Sequence, residues 1–341
     1  MTPLTSDDLS NVYGDSYDLG MRAPEADRLR AIGYCDQIAT ILAENIQLPE
    51  EVSVIEFGCG TGALLTEISN RWMISNALGI EPARQLVEVA LRQVPKAVQI
   101  QQGYVDLKTQ FSQTYDVCIS VNVIEHTQNP IEFLSACRAA IKPDGAIVII
   151  CPDGGDPNAE LLFRDHVSSF SVLSFSLSAS KAGLLVTHTT ALGGAQQGFR
   201  IYLLRIGTDR IESPSAGSFK SVGEMRNQYL LGWGEVEQNT EAAMGTRPFG
   251  IFGIGEYADL LASYCPDLTE RAEFFVIDDP QASSHRGRRV ISTEEFLSDD
   301  EHLALAAVNP RSWNALRQKF KLQTDRLLHP YQFTRLRTKL T

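Results

Sequence analysis

The run Val52-Ser53-Val54-Ile55-Glu56-Phe57-Gly58-Cys59-Gly60-Thr61-Gly62 sets a short β-branched stretch directly before three glycines at alternate positions. A helical pattern follows in Ala63-Leu64-Leu65-Thr66-Glu67-Ile68, so the order is buried strand, tight turn, helix. Glycine has no Cβ and accepts positive φ, so a ligand can lie against the backbone of such a turn. The spacing is G-x-G-x-G rather than G-x-G-x-x-G, and the Gly-Lys-Ser/Thr of a phosphate-cradling loop is missing. Glu56 sits at the end of the strand, two residues before the first glycine. A carboxylate there disfavours a pyrophosphate and suits a cationic ligand group.

A second acid stands where the next parallel strand should end. Ala77-Leu78-Gly79-Ile80-Glu81 reads as that strand, with Glu81 23 residues beyond Gly58. A carboxylate at that tip can accept both hydroxyls of an adenosine ribose. Sites for NAD and for S-adenosylmethionine (SAM) share the glycine turn and the ribose acid; Glu56 and the glycine spacing favour SAM. Together these residues resemble the cofactor site of class I SAM-dependent methyltransferases. The resemblance implies a cofactor lying across Gly58, Cys59, Gly60 and Gly62, its ribose on Glu81 beside Pro82, and S-adenosylhomocysteine as product.

Tyr115-Asp116-Val117-Cys118-Ile119-Ser120-Val121-Asn122-Val123-Ile124-Glu125-His126 resembles the methyltransferase segment that closes over the cofactor, and Ile141-Lys142-Pro143-Asp144-Gly145 its "L-K-P-G-G" turn. In this comparison the methionine end of SAM lies near Glu56 and Asn122. Gln102-Gly103-Tyr104-Val105-Asp106 is the third-strand loop, with Tyr104 where the family often has an aspartate for the adenine amino group. Asp106 substitutes for it, or adenine is held by stacking and backbone alone.

Within the family the chain resembles sugar C-methyltransferases that act on nucleotide-linked deoxysugars. Leu161-Leu162-Phe163-Arg164-Asp165-His166-Val167-Ser168-Ser169-Phe170-Ser171 is similar to their "I-Y-H-E-H-x-S-Y-F-S", and Leu192-Gly193-Gly194-Ala195-Gln196-Gln197-Gly198-Phe199-Arg200 to their "H-G-G-S-x-R". The resemblance implies His166 as a base, oriented by Asp165, and a sugar-nucleotide or glycan acceptor. It has departures. The branch's cysteine-rich zinc module has no counterpart, its motif tyrosines fall at Phe163 and Ser169, and its later histidine at Leu192. Removal of a proton beside a ketone needs a base and a donor for the enolate, so the missing hydroxyls weaken C-methylation. Transfer to a hydroxyl or amine needs an aligned nucleophile and one base, and imidazole titrates near neutrality.

Other residues carry two readings each. His126 belongs to the cofactor loop or touches substrate. Asp153, in Pro152-Asp153-Gly154-Gly155-Asp156-Pro157, meets the substrate or is a turn residue. Arg200 clamps a substrate phosphate, as a guanidinium can, or forms an ion pair within the sheet. Tyr17, with Tyr13, reaches the ligand or packs a lid.

These side chains need a sheet to hold them. Strand candidates are Val52–Glu56, Ala77–Glu81, Val98–Gln101, Asp116–Val121, Ala146–Cys151, Leu184–Thr189 and Phe199–Arg205. Repeated βα units imply a parallel sheet covered on both faces, with ligand at the C-terminal strand ends. The expected fold is therefore α/β: a Rossmann-like, seven-stranded class I methyltransferase domain at 51–207. A helical lid segment at 1–50 precedes it, and a linker and helix at 208–245 follow. A smaller Rossmann-like α/β domain takes 246–341. That last domain repeats the strand, glycine turn and helix in Pro248 to Ala258, with spacing G-x-G-x-x-A and Asp278 25 residues beyond Gly253. It binds a sugar nucleotide, binds a second dinucleotide, or serves structure and dimerisation.

The chain has 341 residues, 30 basic and 42 acidic, for a net charge of -12. That balance argues against a coat for nucleic acid or an anionic membrane. The six cysteines include no C-x-x-C pair, so neither a metal site nor a disulfide framework is expected; they read as reduced cysteines of a cytoplasmic protein. Met1 to Asp8 shows no signal pattern, and no apolar run reaches transmembrane length. A homodimer is compatible with this composition. The alternatives are a methyltransferase for a non-sugar metabolite, a SAM- or nucleotide-binding protein without turnover, and an NAD-dependent sugar enzyme using the second glycine turn.

Overall fold

The structure is a computed structural model that describes residues 8, 21, 24–207, 216–280, 282–298, 301–320 and 325–340. It divides into two compact units, Met1–Val222 and Gly223–Thr341.

The first unit is built on a seven-stranded sheet of order β3-β2-β1-β4-β5-β7-β6. Its strands are β1 (Glu51–Phe57), β2 (Met73–Glu81), β3 (Val98–Gln102), β4 (Tyr115–Val121), β5 (Ile141–Pro152), β6 (Leu184–Ala191) and β7 (Phe199–Ile206). β1 through β5 are parallel. The repeated βα units implied a parallel sheet; β7 is the antiparallel member, running opposite to both β5 and β6. The reason is length: only a short hairpin joins β6 to β7, whereas a parallel crossover needs a dozen or more residues.

Both faces of the sheet are covered. Helix Pro24–Asn45 buries Ala31, Tyr34, Cys35, Ile38, Ile41 and Leu42, which pack with Leu65 and Ile68 against Val52, Val54, Val148 and Ile150. On the other face Leu134, Cys137 and Phe175 pack against Ile55, Phe57, Ile149 and Tyr202. The alternation along β1 and β5 thus feeds two cores, as a parallel sheet in the middle of a domain requires.

The second unit holds a six-stranded sheet of order β10-β11-β9-β8-β12-β13. Here β8 is Phe249–Phe252, β9 Phe274–Ile277, β10 Ser284–His285, β11 Arg288–Ser292, β12 Leu303–Ala306 and β13 Leu327–Leu328. All its pairings except β10 with β11 are parallel. The helical stretch after 220 breaks at Glu235, giving Lys220–Gly234 and Val236–Met244. Trp233 Nε1 donates to the Tyr331 hydroxyl at 2.9 Å, and Asn239 Nδ2 to the Phe333 carbonyl at 2.9 Å. Among the described residues no helix is long and apolar enough to cross a membrane.

Candidate functional site

Parallel strands bring their C-terminal ends to one edge. Gly58–Gly62 follow β1, Glu81 ends β2, Gly103–Asp106 follow β3, Asn122–His126 follow β4 and Asp153 follows β5. Because β7 is antiparallel, it begins at that same edge, and Arg200 pairs with Cys151.

The glycine turn has φ of 73°, 54° and 77° at Gly58, Gly60 and Gly62. Added Cβ atoms at Gly58 and Gly62 would meet Val123 Cγ2 at 2.3 Å and Val94 Cγ1 at 2.4 Å, whereas at Gly60 nothing lies within 4 Å. Gly58 and Gly62 are therefore required by packing, and Gly60 leaves an open face for a ligand. Glu81 Oε2 accepts the Gly60 N–H at 2.9 Å and Oε1 the Ala83 N–H at 2.9 Å. Each oxygen keeps a lone pair for a ribose hydroxyl. Burial raises the Glu81 pKa, against the pull of those two N–H groups.

Glu56 is 3% exposed, and its Oε2 has no hydrogen-bond partner. Burial pushes its carboxyl well above the usual range, with Glu81 and Asp27 adding repulsion. A buried carboxylate without a counter-charge is costly, so this position fits a ligand ammonium. Asn122, at φ 55°, donates its N–H to Ile150 O of β5 at 2.8 Å. Its Nδ2 donates to the Tyr34 hydroxyl at 3.3 Å, while its Oδ1 is buried without a partner. Thr61 Oγ1 donates to Asp27 Oδ2 at 2.6 Å, fastening helix Pro24–Asn45 to the glycine turn. Sequence reasoning missed Asp27, Tyr34 and Thr61; only the Thr inside the glycine run pointed there.

The remaining residues expected to meet a cofactor sit as follows. Cys59 is buried, and burial beside Glu56 and Glu81 pushes its thiol far up. The Pro82 carbonyl accepts from Gln102 Nε2 at 3.3 Å, joining the tips of β2 and β3. Tyr104 is exposed. Asp106 turns its Oδ1 to its own loop, accepting from Lys108 N at 2.8 Å and Thr109 Oγ1 at 3.1 Å, and the Lys108 N–H lowers its pKa. Tyr17 and Tyr13 lie outside the described residues.

The loop after β5 folds back over the β4 end. Ser168 N donates to Glu125 O at 3.0 Å, and Gly154 N to Phe170 O at 2.8 Å. This brings His126 and His166 together, ring centroids 4.7 Å apart and nearly perpendicular. The partners differ from the expected pair. Asp165 faces His126, with its carbonyl 3.1 Å and its Oδ2 3.4 Å from Nδ1. His166 Nδ1 instead faces Glu160 Oε2 at 3.7 Å, an ion-pair distance. The chain turns at Arg164–Asp165, with His166 N donating to Phe163 O at 3.3 Å and Val167 N to Asp165 O at 3.0 Å. Glu125 is 1% and Glu160 4% exposed, and Glu160 Oε1 accepts from Ser169 Oγ at 3.0 Å.

Burial pushes the Glu125 carboxyl up to about 8, against the pull of His166. Burial, with His166, brings His126 down to about 4. For His166 burial acts downward too, but Glu160, Glu125 and Asp165 outweigh it and hold the imidazole above its ordinary value. Sequence reasoning missed Glu125 and Glu160: the first stood next to His126 in plain view, while the second is brought in only by the loop fold. Arg200 Nε donates to Asp153 Oδ2 at 2.9 Å, which realises the ion-pair reading of Arg200, and Asp153 Oδ1 accepts from Gly155 N at 2.9 Å.

In the second unit Gly253 has φ 102°, and a Cβ there would lie 2.8 Å from the Ala307 carbonyl oxygen. Asp278 accepts from Thr293 Oγ1 at 2.8 Å and pairs with Lys319, which lowers its pKa.

The first unit has the Rossmann-like methyltransferase fold. Residues 27–189 match the family model described as "Methyltransferase domain". The ubiquinone biosynthesis O-methyltransferase of Xanthomonas campestris is 30% identical over 112 residues, 32% of this chain and 46% of that protein. The mitochondrial enzyme of the same name from Dictyostelium discoideum is 29% identical over 118 residues, 30% of this chain and 36% of that protein. The chain thus spans less than half the length of these curated relatives. A solved SAM-dependent methyltransferase from Clostridium acetobutylicum overlays with a TM-score of 0.44 at 10% identity, over 51% of this chain and 90% of its own.

Proposed function

We propose that this chain transfers a methyl group from SAM to an oxygen of a small molecule. The observation that carries the reading is the buried Glu56 carboxyl without a partner, one strand from Glu81 and its hold on Gly60. Bound SAM supplies an electrophilic methyl group and leaves as S-adenosylhomocysteine. Glu81 orients the ribose, Glu56 and Asn122 the methionine end, and the glycine turn admits the adenosine to the backbone. His166 takes the proton of the acceptor hydroxyl; Asp153 and Arg200 shape the acceptor's entry. Alignment does most of the work and the base adds a modest factor.

The acceptor is a nucleotide-linked or glycan sugar, in keeping with the Leu161–Ser171 and Leu192–Arg200 segments. Ser169, where the branch has a tyrosine, gives its hydroxyl to Glu160, which favours a hydroxyl acceptor over an enolate carbon. A second reading, a non-sugar metabolite, is favoured by relatives named for ubiquinone biosynthesis. A cytoplasmic setting, a homodimer and a ligand for the second unit belong to the same proposal.

Calorimetric titration with S-adenosylhomocysteine, and separately with NAD, tests the cofactor. Micromolar binding of the first alone is expected; binding of NAD alone would overturn the reading. Labelled SAM with sugar nucleotides and phenols then separates the acceptors. His166→Ala should lower turnover and leave S-adenosylhomocysteine affinity unchanged, and wild-type turnover in that variant removes the base.

A further inference from the structure

Resting on the proposed role of His166 as proton acceptor, we infer that Glu160 is the positioning residue of that histidine. Its carboxylate turns Nδ1 of the ring inward and balances the charge the ring gains. The motif resemblance points to Asp165 for this task; the contacts point elsewhere. Glu160 Oε2 lies 3.7 Å from His166 Nδ1, whereas Asp165 Oδ2 lies 3.4 Å from His126 Nδ1.

Two unspent atoms face each other. Glu160 Oε2 and His166 Nδ1 are both buried, and neither has a hydrogen bond. Buried polar atoms without partners are rare, and here one can accept and the other can donate. At 3.7 Å the pair is beyond hydrogen-bond range, but catalytic hydrogen bonds in ligand-free enzymes are often long and tighten when substrate binds. Because Nδ1 is the buried nitrogen, Nε2 is the one left to meet an acceptor hydroxyl.

Glu160 is held from its other side. Its backbone N–H donates to Asn158 Oδ1 at 3.1 Å, which starts the short turn Ala159–Leu162. Ser169 Oγ donates to Oε1 at 3.0 Å. One carboxylate oxygen is thus anchored and the other faces the imidazole. The ring itself is confined by His126, at 4.7 Å between centroids, and by Phe163, at 5.2 Å.

The titratable groups facing His166 are Glu160, Glu125, Asp165 and His126. Glu125, pushed by burial to about 8, is protonated at neutral pH and offers no charge. His126, brought down to about 4, is neutral there as well. Asp165 turns both its carbonyl and its carboxylate to His126. Glu160 is left as the anion paired with the ring. During transfer an acceptor-oxygen lone pair forms the bond to the methyl carbon, and the carbon–sulfur pair stays on sulfur. The hydroxyl proton passes to His166 Nε2. The positive charge lost at sulfur thereby reappears on the imidazole, with its Nδ1–H toward Glu160, which takes no proton itself.

NMR of the imidazole carbons in the full chain, assigned by the signal missing from His166→Gln, follows the titration of His166 with no acceptor present. Glu160→Gln keeps the shape of the side chain. It should lower the His166 titration by about one pH unit, the effect of removing a neighbouring opposite charge, and Asp165→Asn should move it less. Turnover of labelled SAM with a sugar nucleotide should fall at least about tenfold in Glu160→Gln at unchanged acceptor KM. Its acidic limb should shift to lower pH, because the base works unprotonated and now loses its proton more readily. Glu160→Asp keeps the charge and should return the limb toward wild type. An unmoved His166 titration in Glu160→Gln, or an equal shift in Asp165→Asn, overturns the assignment whichever acceptor is used. Wild-type turnover in His166→Ala beside a shifted titration would instead fail the base reading and leave the pairing standing.

Discussion

Glu81 has both carboxylate oxygens on backbone N–H groups, so it is fixed before a ribose arrives. Hydrogen bonds to charged groups contribute roughly 1.5–3 kcal/mol each. Glu81→Ala should therefore weaken S-adenosylhomocysteine by at least about tenfold, since about 1.4 kcal/mol is tenfold; unchanged calorimetric affinity in a folded variant would remove Glu81 from the site. Glu56 acts in the opposite sense on the free protein. Its folded pKa is raised above the ordinary 4.5, so its contribution to stability is intact below that pH. It is lost as pH rises through the raised folded value. Glu56→Gln should melt higher than wild type at neutral pH, with a gap that closes toward pH 4.5, and should bind S-adenosylhomocysteine more weakly. Equal melting temperatures across that range would contradict the buried-carboxyl argument.

At the scale of elements, the glycine turn separates fold from function. Gly62→Ala puts a Cβ 2.4 Å from Val94 at φ 77°, so strain and overlap add. Gly60→Ala meets open space and bears only the left-handed penalty, about 1–2 kcal/mol. Thermal melts should show Gly62→Ala as the more damaged fold, while Gly60→Ala stays folded and loses ligand affinity. Much of this was legible in the sequence. Ile55, Val117 and Ile149 lie in β-branched runs that could only be strands, and Glu56 and Glu81 fell at strand tips because each run stopped there. What was not legible depended on tertiary contact. The reversal of β7 follows from hairpin length, which the hydrophobic pattern does not encode. The pairing of Glu160 with His166 spans an irregular loop with no period to read, and the assignment of Asp165 to His166 rests on the motif resemblance, which carries no contact information.

For the whole molecule, every residue assigned to cofactor or acceptor lies in the unit Met1–Val222. A fragment ending at Val222 should bind S-adenosylhomocysteine as the full chain does, checked by calorimetry; loss of binding in a folded fragment would give the second unit a part in the site. The second unit has its own acid sensitivity. His329 accepts from Tyr331 N–H through Nδ1 at 3.1 Å and donates through Nε2 to Val308 O at 3.2 Å. Burial lowers its pKa from 6.5 to about 4. The unfolded chain then binds more protons between those values, so stability rises with pH across that window, by about 3 kcal/mol in total. His329→Asn, which retains a capping oxygen, should flatten the slope in denaturant titrations between pH 5 and 6.5.

The antiparallel β7 has one more implication. Its hairpin returns the chain to the edge where the cofactor residues sit, so that Arg200 meets Asp153 without belonging to any βα unit. On the proposed function, the acceptor groups on the hairpin and on the loop after β5 lie on different segments from the glycine turn and the ribose acid. Grafting 153–171 together with 192–200 between relatives should exchange substrate preference while the donor site passes through unaltered, which makes this half of the sheet the natural place for recombination.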